Sequence, residues 1–100
     1  MRQDLDNRNN CVYALIIYDI QSDKLRLNFA TLMEGYGYRV QKSAFEVYLP
    51  DSKFEKLIKL IPKFIDPDTD SVRVYKLRTD SKIYFFGQNI QINMDNLIIV

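Results

Sequence analysis

One hundred residues, 47% of them apolar, with a net charge of +1 predict a single domain that can bury its own core. The chain has no histidine and one cysteine, Cys11, which excludes an internal disulfide, a thiolate zinc site and histidine-based catalysis. Any hydrolytic chemistry must therefore use carboxylates with a hard cation such as Mg²⁺, or an activated hydroxyl or lysine.

Residues 1–11 are polar and aperiodic, which predicts a flexible N-terminal arm without the apolar core of a signal peptide. The longest apolar run, near residues 12–20, is too short to cross a bilayer as a helix. A lone cysteine is typical of a reducing compartment. These features predict a cytoplasmic protein that makes no membrane contact.

The first strand is predicted over Val12 to Ile20. Both of its faces are apolar, and such a strand is covered on both faces. A helix then begins near Ser22, a plausible N-cap, and its apolar stripe runs to Met33. Two glycines, the second of them Gly37, end this helix and turn the chain.

Two short strands follow, over residues 38–41 and 44–49, and the polar residues between them indicate a tight turn. A second helix starts after Pro50, where Ser52 and Glu55 have the spacing of a capping box. The DPDTDS run at residues 66–71 predicts a loop, and a fourth strand follows over residues 72–77. Residues 81–100 form a tail that ends in the apolar run LIIV.

This order predicts an α+β, ferredoxin-like βαββαβ domain over residues 12–80, with an extra C-terminal strand in the tail. Two helices cover one face of a four-stranded antiparallel sheet and leave the other face bare. Phe45 and Tyr75 are predicted to add to that face and to the interface that covers it. An apolar face of this kind requires a partner, and a second copy of the chain is the simplest one.

Asp19 ends the most apolar strand of the chain, at a strand end of the kind where ligands gather. One carboxylate holds Mg²⁺ poorly, but a two-fold axis would bring two copies of Asp19 together and permit metal-assisted phosphodiester cleavage. The alternative is structural: Asp19 caps the first helix or pairs with Lys24, Arg26 or Arg39.

Basic side chains form two groups that could neutralise phosphates. The lysines of the second helix are equally typical of a solvated helix face. The other group lies later, around Arg73, Lys76 and Arg78. Ser43 is either a hydroxyl ligand or a turn residue, and Arg39 and Glu46 are predicted to form a cross-strand ion pair.

Three segments carry a resemblance to a known family: IIYDI followed by Lys24 and Arg26, then GYRVQKSAFE from Gly37 to Glu46, then DSVRVYKL from Asp70 to Leu77. They resemble the CRISPR-associated Cas-two family, the smaller of the two core spacer-acquisition proteins. The resemblance spans about residues 12–80. Ala44 departs from it, because the family usually has valine there, and the first 11 residues have no counterpart.

The resemblance implies a homodimer that bridges the integrase protein and binds duplex DNA, in which Asp19 of each subunit forms a site for Mg²⁺ or Mn²⁺. It also implies metal-dependent cleavage of DNA or RNA and a C-terminal tail that crosses to the partner subunit or docks the integrase. The residues expected at the nucleic acid are Lys24, Arg26, Arg39, Lys42, Ser43, Arg73, Lys76 and Arg78. Contacts of this kind need position and charge rather than base readout.

Three other functions remain open at this point. The chain could be a metal-dependent endonuclease that acts alone, a toxin-like ribonuclease of the VapD type, or a small-molecule-binding regulatory domain on the same fold. The neighbouring genes separate the spacer-acquisition function from the toxin, since the former predicts a repeat array with an integrase gene and the latter an antitoxin gene.

Overall fold

The computed structural model describes residues 10–87 and 97–99 of the chain. The elements are β1 (Cys11–Asp19), α1 (Asp23–Glu34), β2 (Gly37–Gln41), β3 (Ala44–Pro50), α2 (Asp51–Leu60), a 3₁₀ turn (Ile61–Phe64), β4 (Ser71–Leu77), β5 (Ile83–Phe85) and β6 (Leu97–Ile99). Most of the predicted arm lies outside the described residues, and Cys11 already belongs to β1. The predicted order of strands and helices is confirmed.

The main sheet has the strand order β2-β3-β1-β4, and all of its neighbouring strands are antiparallel. Both helices pack on one face of it. Ile16 and Phe45 of the sheet, Phe29 of α1 and Leu57 of α2 are all 0% exposed in the core between the two layers. This confirms the ferredoxin-like α+β fold with the helices on one side.

The two helices start differently. Ser22 caps α1 as predicted, since its hydroxyl oxygen accepts a hydrogen bond from the Leu25 backbone N–H at 3.2 Å. The capping box predicted for α2 is wrong. That helix begins at Asp51, its N-cap is Pro50, and no side-chain hydrogen bond caps it. Ser52 therefore lies inside the first turn.

Gly37 opens β2 at a point where its backbone lies close against β3. A β-carbon there would collide with the backbone oxygen of Glu46 and would lie 2.8 Å from Cγ1 of Val47. We expect Gly37→Ala to lower the free energy of unfolding by about 2–3 kcal/mol, as overpacking against fixed backbone does. Gly35→Ala is the control, because its β-carbon would meet only the Leu32 carbonyl oxygen, at 3.4 Å. Urea unfolding measures both, and equal stability of the two variants would refute the close approach.

The predicted C-terminal strand is present as a pair. Strands β5 and β6 lie parallel to each other in a separate two-stranded sheet. Residues 88–96 and 100 of the predicted tail lie outside the described part of the chain. Among the helices that the structure describes, none has the length and apolarity needed to cross a membrane.

Candidate functional site

The sheet face away from the helices is largely apolar and partly exposed, since Tyr13 and Glu46 on this face are buried. Side chains alternate along a strand, so β1 directs Leu15, Ile17 and Asp19 to this face, together with the side chains paired with them on β3 and β4. We call it the open face. Four large apolar side chains are exposed on it: Ile17, Tyr38, Tyr48 and Tyr75. Tyr75 therefore lies on the bare face as predicted, 43% exposed.

The placement of Phe45 on the bare face is wrong. Phe45 is 0% exposed and belongs to the core under the helices. It pairs with Ile16 in the strand register, and both side chains point to the helix side of the sheet. Because side chains alternate along β3, Glu46 and Tyr48 lie on the open face instead.

The ion pair predicted between Arg39 and Glu46 is also wrong. In the register Arg39 pairs with Phe45 and lies on the helix side, whereas Glu46 is on the open face. The Arg39 guanidinium lies 4.9 Å from the centre of the Phe45 ring and 3.8 Å from a carboxylate oxygen of Glu34. It also donates to the Lys42 carbonyl oxygen at 2.7 Å, so it holds the turn between β2 and β3.

Glu46 is a buried carboxyl group on the open face, only 6% exposed. Burial raises its pKa above the ordinary value of 4.5, and a hydrogen bond from Tyr13 offsets part of that rise. The folded chain thus holds this proton more tightly than the unfolded chain does. Protonated Glu46 therefore favours the fold at low pH, and this contribution is lost as the pH rises through the raised pKa.

We expect Glu46→Gln to remove this pH dependence. The wild type should lose stability relative to the variant as the pH rises from below 4.5 towards neutrality, because only the wild type must then keep a carboxylate buried. Chemical unfolding at several pH values measures the difference. Glu55→Gln, on the exposed side of α2, is the control for removing one charge. A difference between wild type and Glu46→Gln that does not change with pH would refute the argument.

Asp19 ends β1 on the open face, level with Ser71 of β4. Its carboxylate is exposed, and Oδ1 accepts a hydrogen bond from the Gln21 side-chain amide at 3.2 Å. Both structural roles considered for Asp19 are wrong, since Ser22 caps α1 and none of the ion pairs between described residues includes Asp19. The carboxylate thus faces solvent, where it can meet an external ligand.

One chain supplies too few ligands for a metal ion. No group of three or more acidic, histidine or cysteine side chains is placed to hold a metal within residues 10–87 and 97–99. The neighbouring carboxylate of Asp70 is occupied by the backbone N–H groups of Gln21 and Asp66. A hard oxygen ligand suits Mg²⁺, which also keeps several waters. Asp19 therefore fits half of a site that a second copy of the chain would complete.

A pocket of about 550 Å³ lies on the helix side of the sheet, beside α1 and the β2–β3 turn. Four of the predicted nucleic-acid-binding residues line it: Arg26, Arg39, Lys42 and Ser43. The rest of its lining is Tyr18, Asp23, Leu27 and Ala30. Three cations against one carboxylate make the pocket electropositive, which suits a phosphate group.

Arg26 has a second role at this pocket. Its guanidinium donates to the Ile20 carbonyl oxygen at 2.7 Å and pairs with the Asp23 carboxylate. Ile20 directly follows Asp19 in the chain. Arg26 therefore also fixes the connection between β1 and α1.

Two of the other predicted basic residues point to opposite sides of β4. Arg73 lies on the open face and donates to the Tyr75 hydroxyl at 3.3 Å. The ammonium group of Lys76 lies on the helix side, 5.5 Å from the centre of the Phe54 ring. The structure thus divides this predicted cluster between the two faces of the sheet.

The remaining two predicted contacts are peripheral. Lys24 is exposed in the first turn of α1. Arg78 follows β4 and forms an exposed ion pair with Asp80, which raises the pKa of the guanidinium and lowers that of the carboxyl. Neither residue lines the pocket.

The sequence did not predict the roles of Gln21, which contacts Asp19, and of Asp70, which contacts Gln21. The acidic run before β4 predicted only a loop. A usable signal was present, because a short acidic side chain in a turn commonly accepts hydrogen bonds from nearby backbone N–H groups. Its partner at Gln21 is 49 residues away along the chain, and no local pattern reveals that contact.

Fold and site together define a class: a small ferredoxin-like domain with an apolar open face and a carboxylate at the end of its central strand. The chain belongs to the family described as CRISPR associated protein Cas2, whose sequence model matches residues 12–83. The predicted family is thereby confirmed.

Curated relatives and solved structures agree with this assignment. The chain is 34% identical to a CRISPR-associated endoribonuclease Cas2 of Mycobacterium tuberculosis, over 87% of this chain and 76% of the relative. It is 37% identical to one of Moorella thermoacetica, over 84% and 95%. Its fold matches Streptococcus pyogenes Cas2 with a TM-score of 0.63 at 32% identity, over 68% of this chain and 88% of that one.

A further structural match is a chain from a partial Cas6-RT-Cas1–Cas2 complex. The TM-score is 0.58 at 36% identity, and the match covers 69% of this chain and 76% of that one.

Proposed function

We propose that this chain is a CRISPR adaptation protein of the cytoplasm. As a homodimer it bridges the integrase protein in the spacer-acquisition complex and binds the captured duplex DNA. The single observation that carries the proposal is the open face, on which exposed apolar side chains share one surface with Asp19.

The open face supports the homodimer. Ile17 is 39% exposed and Tyr75 is 43% exposed on adjacent strands, and Tyr38 and Tyr48 extend the apolar surface across the sheet. An apolar surface of this kind gains from burial, and a two-fold axis lets one face serve both protomers. Asp19 lies at the end of this surface, so pairing the open faces is the arrangement that can bring two copies of it together.

Membership in the family supports the integrase as partner. The structural relative in the Cas1–Cas2 complex is 36% identical to this chain and was solved with that partner. The apolar C-terminal run, of which β6 is the described part, suits strand addition to the edge of another sheet.

The electropositive pocket supports contact with the duplex backbone. Arg26, Arg39 and Lys42 line it together with the hydroxyl-bearing Ser43. Phosphate contacts of this kind bind independently of sequence and weaken steeply with added salt. Duplex DNA is therefore the proposed ligand, and its affinity should fall as salt rises.

Metal-dependent cleavage is the second proposed activity. The curated relatives from M. tuberculosis and M. thermoacetica are both named endoribonucleases. The two Asp19 carboxylates of a dimer would hold the ion, and Mg²⁺ or Mn²⁺ would supply Lewis-acid activation for phosphodiester cleavage. The chain's own part is to hold these carboxylates exposed at the two-fold axis.

Co-purification with a co-expressed integrase protein, followed by a duplex-binding titration, tests the proposed function. The expected result is a stable complex that binds duplex DNA with an affinity that falls with salt. Lys42→Ala should weaken duplex binding, whereas Lys59→Ala, which removes an equal charge from α2, should have a smaller effect. Absence of a complex, or equal loss in both variants, would contradict the proposal.

A further inference from the structure

We propose that Gln21 and Asp70 position the Asp19 carboxylate: Asp70 fixes the backbone of Gln21, and the Gln21 side chain orients Asp19. The purpose of this positioning rests on the proposed metal site, but the hydrogen bonds that produce it do not depend on that proposal. Asp70 opens one of the segments that carry the family resemblance, but neither it nor Gln21 was assigned a role in the site predicted from the sequence.

The first contact joins Gln21 to Asp19. The side-chain amide of Gln21 donates to Oδ1 of Asp19 at 3.2 Å. This hydrogen bond restricts the rotation of the carboxylate. Carboxylates that bind metals are usually held by hydrogen bonds of this kind.

The second contact joins Gln21 to Asp70. The backbone N–H of Gln21 donates to Oδ1 of Asp70 at 3.0 Å. Gln21 lies between β1 and α1, so its N–H takes part in neither the strand pairing of β1 nor the helical hydrogen bonds of α1. Asp70 therefore sets the position of the backbone from which the Gln21 side chain reaches Asp19.

Asp70 is itself held rigidly by its own loop. Its Oδ2 accepts from the Asp66 N–H at 2.8 Å, and its Oδ1 also accepts from the Thr69 hydroxyl at 3.0 Å. Its own N–H donates to the Asp66 carbonyl oxygen at 2.8 Å. The hydrogen bonds from the Asp66 and Gln21 backbone lower the pKa of the Asp70 carboxyl, so it stays ionised.

The pairing of β1 with β4 connects Asp70 to Asp19 by a second route. Asp70 immediately precedes β4, and Ser71 of β4 pairs with Asp19 of β1. The loop that carries Asp70 and the strand end that carries Asp19 are thus joined twice, once through the sheet and once through Gln21. A change at Asp70 should reach Asp19 by this route even though the two carboxylates share no hydrogen bond.

Two variants and a matched control test the positioning in metal-free protein. We expect Gln21→Ala and Asp70→Ala to spread the Asp19 side chain over several χ1 rotamers, measured by three-bond NMR couplings. Asp70→Ala should also accelerate hydrogen exchange of the Gln21 amide by about 10-fold or more. Asp68→Ala removes a carboxylate from the same loop whose oxygens accept no hydrogen bond from any residue that the structure describes, and it should change neither quantity. Asp70→Asn, which keeps an acceptor oxygen, should restore most of the wild-type behaviour.

Mn²⁺ binding, followed by electron paramagnetic resonance, is the second measurement. We expect Gln21→Ala and Asp70→Ala each to weaken Mn²⁺ binding by about 10–100-fold. The double variant should lose little more than either single one, because both act through one contact. Asp19 rotamers that match the wild type in both single variants would overturn the positioning role. Altered rotamers in a protein whose Mn²⁺ binding does not depend on Asp19 would uphold the positioning role and refute the proposed metal site instead.

Discussion

Asp19→Asn is expected to abolish metal-dependent phosphodiester cleavage while the chain still folds and dimerises. The substitution keeps the size of the side chain but removes the charge that each protomer would offer to the ion in the proposed site. We expect a loss greater than the about 10–100-fold typical of removing a ligand's hydrogen-bond partner. Asp19 is exposed and makes one side-chain hydrogen bond, so its replacement should leave the thermal unfolding midpoint nearly unchanged.

The measurement is cleavage of single-stranded RNA and duplex DNA in Mg²⁺ and in Mn²⁺, with excess chelator as the blank. Asp68→Asn, in the loop before β4, is the matched control and should cleave as the wild type does. Cleavage that persists in Asp19→Asn, or in chelator, would contradict the shared metal site.

The same variant separates the two proposed activities in cells. Spacer acquisition that continues after cleavage is lost would identify the chain as a bridging and DNA-binding subunit. Acquisition that stops although the integrase complex still assembles would assign Asp19 a catalytic part in the process.

Ile17→Asp is expected to convert the dimer into a folded monomer. Ile17 lies on the central strand of the open face, between Ala44 and Arg73 in the register. Burying that carboxylate should disfavour the dimer even beside Arg73, because both charges must then be desolvated, and a cost of about 3 kcal/mol weakens association by more than about 100-fold. Because Ile17 is 39% exposed in the single chain, the protomer itself should stay folded.

Leu27→Asp is the matched control for Ile17→Asp. Leu27 is even more exposed, at 68%, but it lies on α1 on the opposite side of the sheet. Sedimentation equilibrium should show a dimer for this control and a monomer for Ile17→Asp, with similar circular dichroism spectra. Two variants that both dimerise as the wild type does would place the interface away from the open face.

The fold was predictable because several local signals agreed. The doubly apolar first strand, the Ser22 cap and the apolar stripe of α1 each specify one element, and their order leaves few topologies. The position of Asp19 at a strand end followed from the same pattern. The family resemblance then added the expected partner and metal, which one chain does not reveal.

The errors arose where a prediction depended on which side of a strand a residue occupies. Phe45 and Glu46 exchange faces if the register of β3 shifts by one residue, and the sequence between β2 and β3 does not fix that register. The β2–β3 pairing contains an irregularity between Arg39 and Gln41, so simple alternation through the turn fails. The false ion pair of Arg39 with Glu46 has the same origin.

The contacts of Asp70 escaped prediction for another reason. The contact with Gln21 joins segments about 50 residues apart through a backbone N–H group, and the acidic turn before β4 does not indicate that distant partner. Only the assembled sheet brings the loop before β4 to the end of β1.

Cysteine cross-linking at position 19 tests the paired open faces most directly. Asp19→Cys in a chain that also carries Cys11→Ser, treated with a short bismaleimide, should give a covalent dimer in high yield at low protein concentration. Asp68→Cys in the same background should remain uncross-linked. A protein that sediments as a monomer would contradict the account. So would a dimer that resists cross-linking at position 19, because the two copies of Asp19 would then not lie side by side on the two-fold axis.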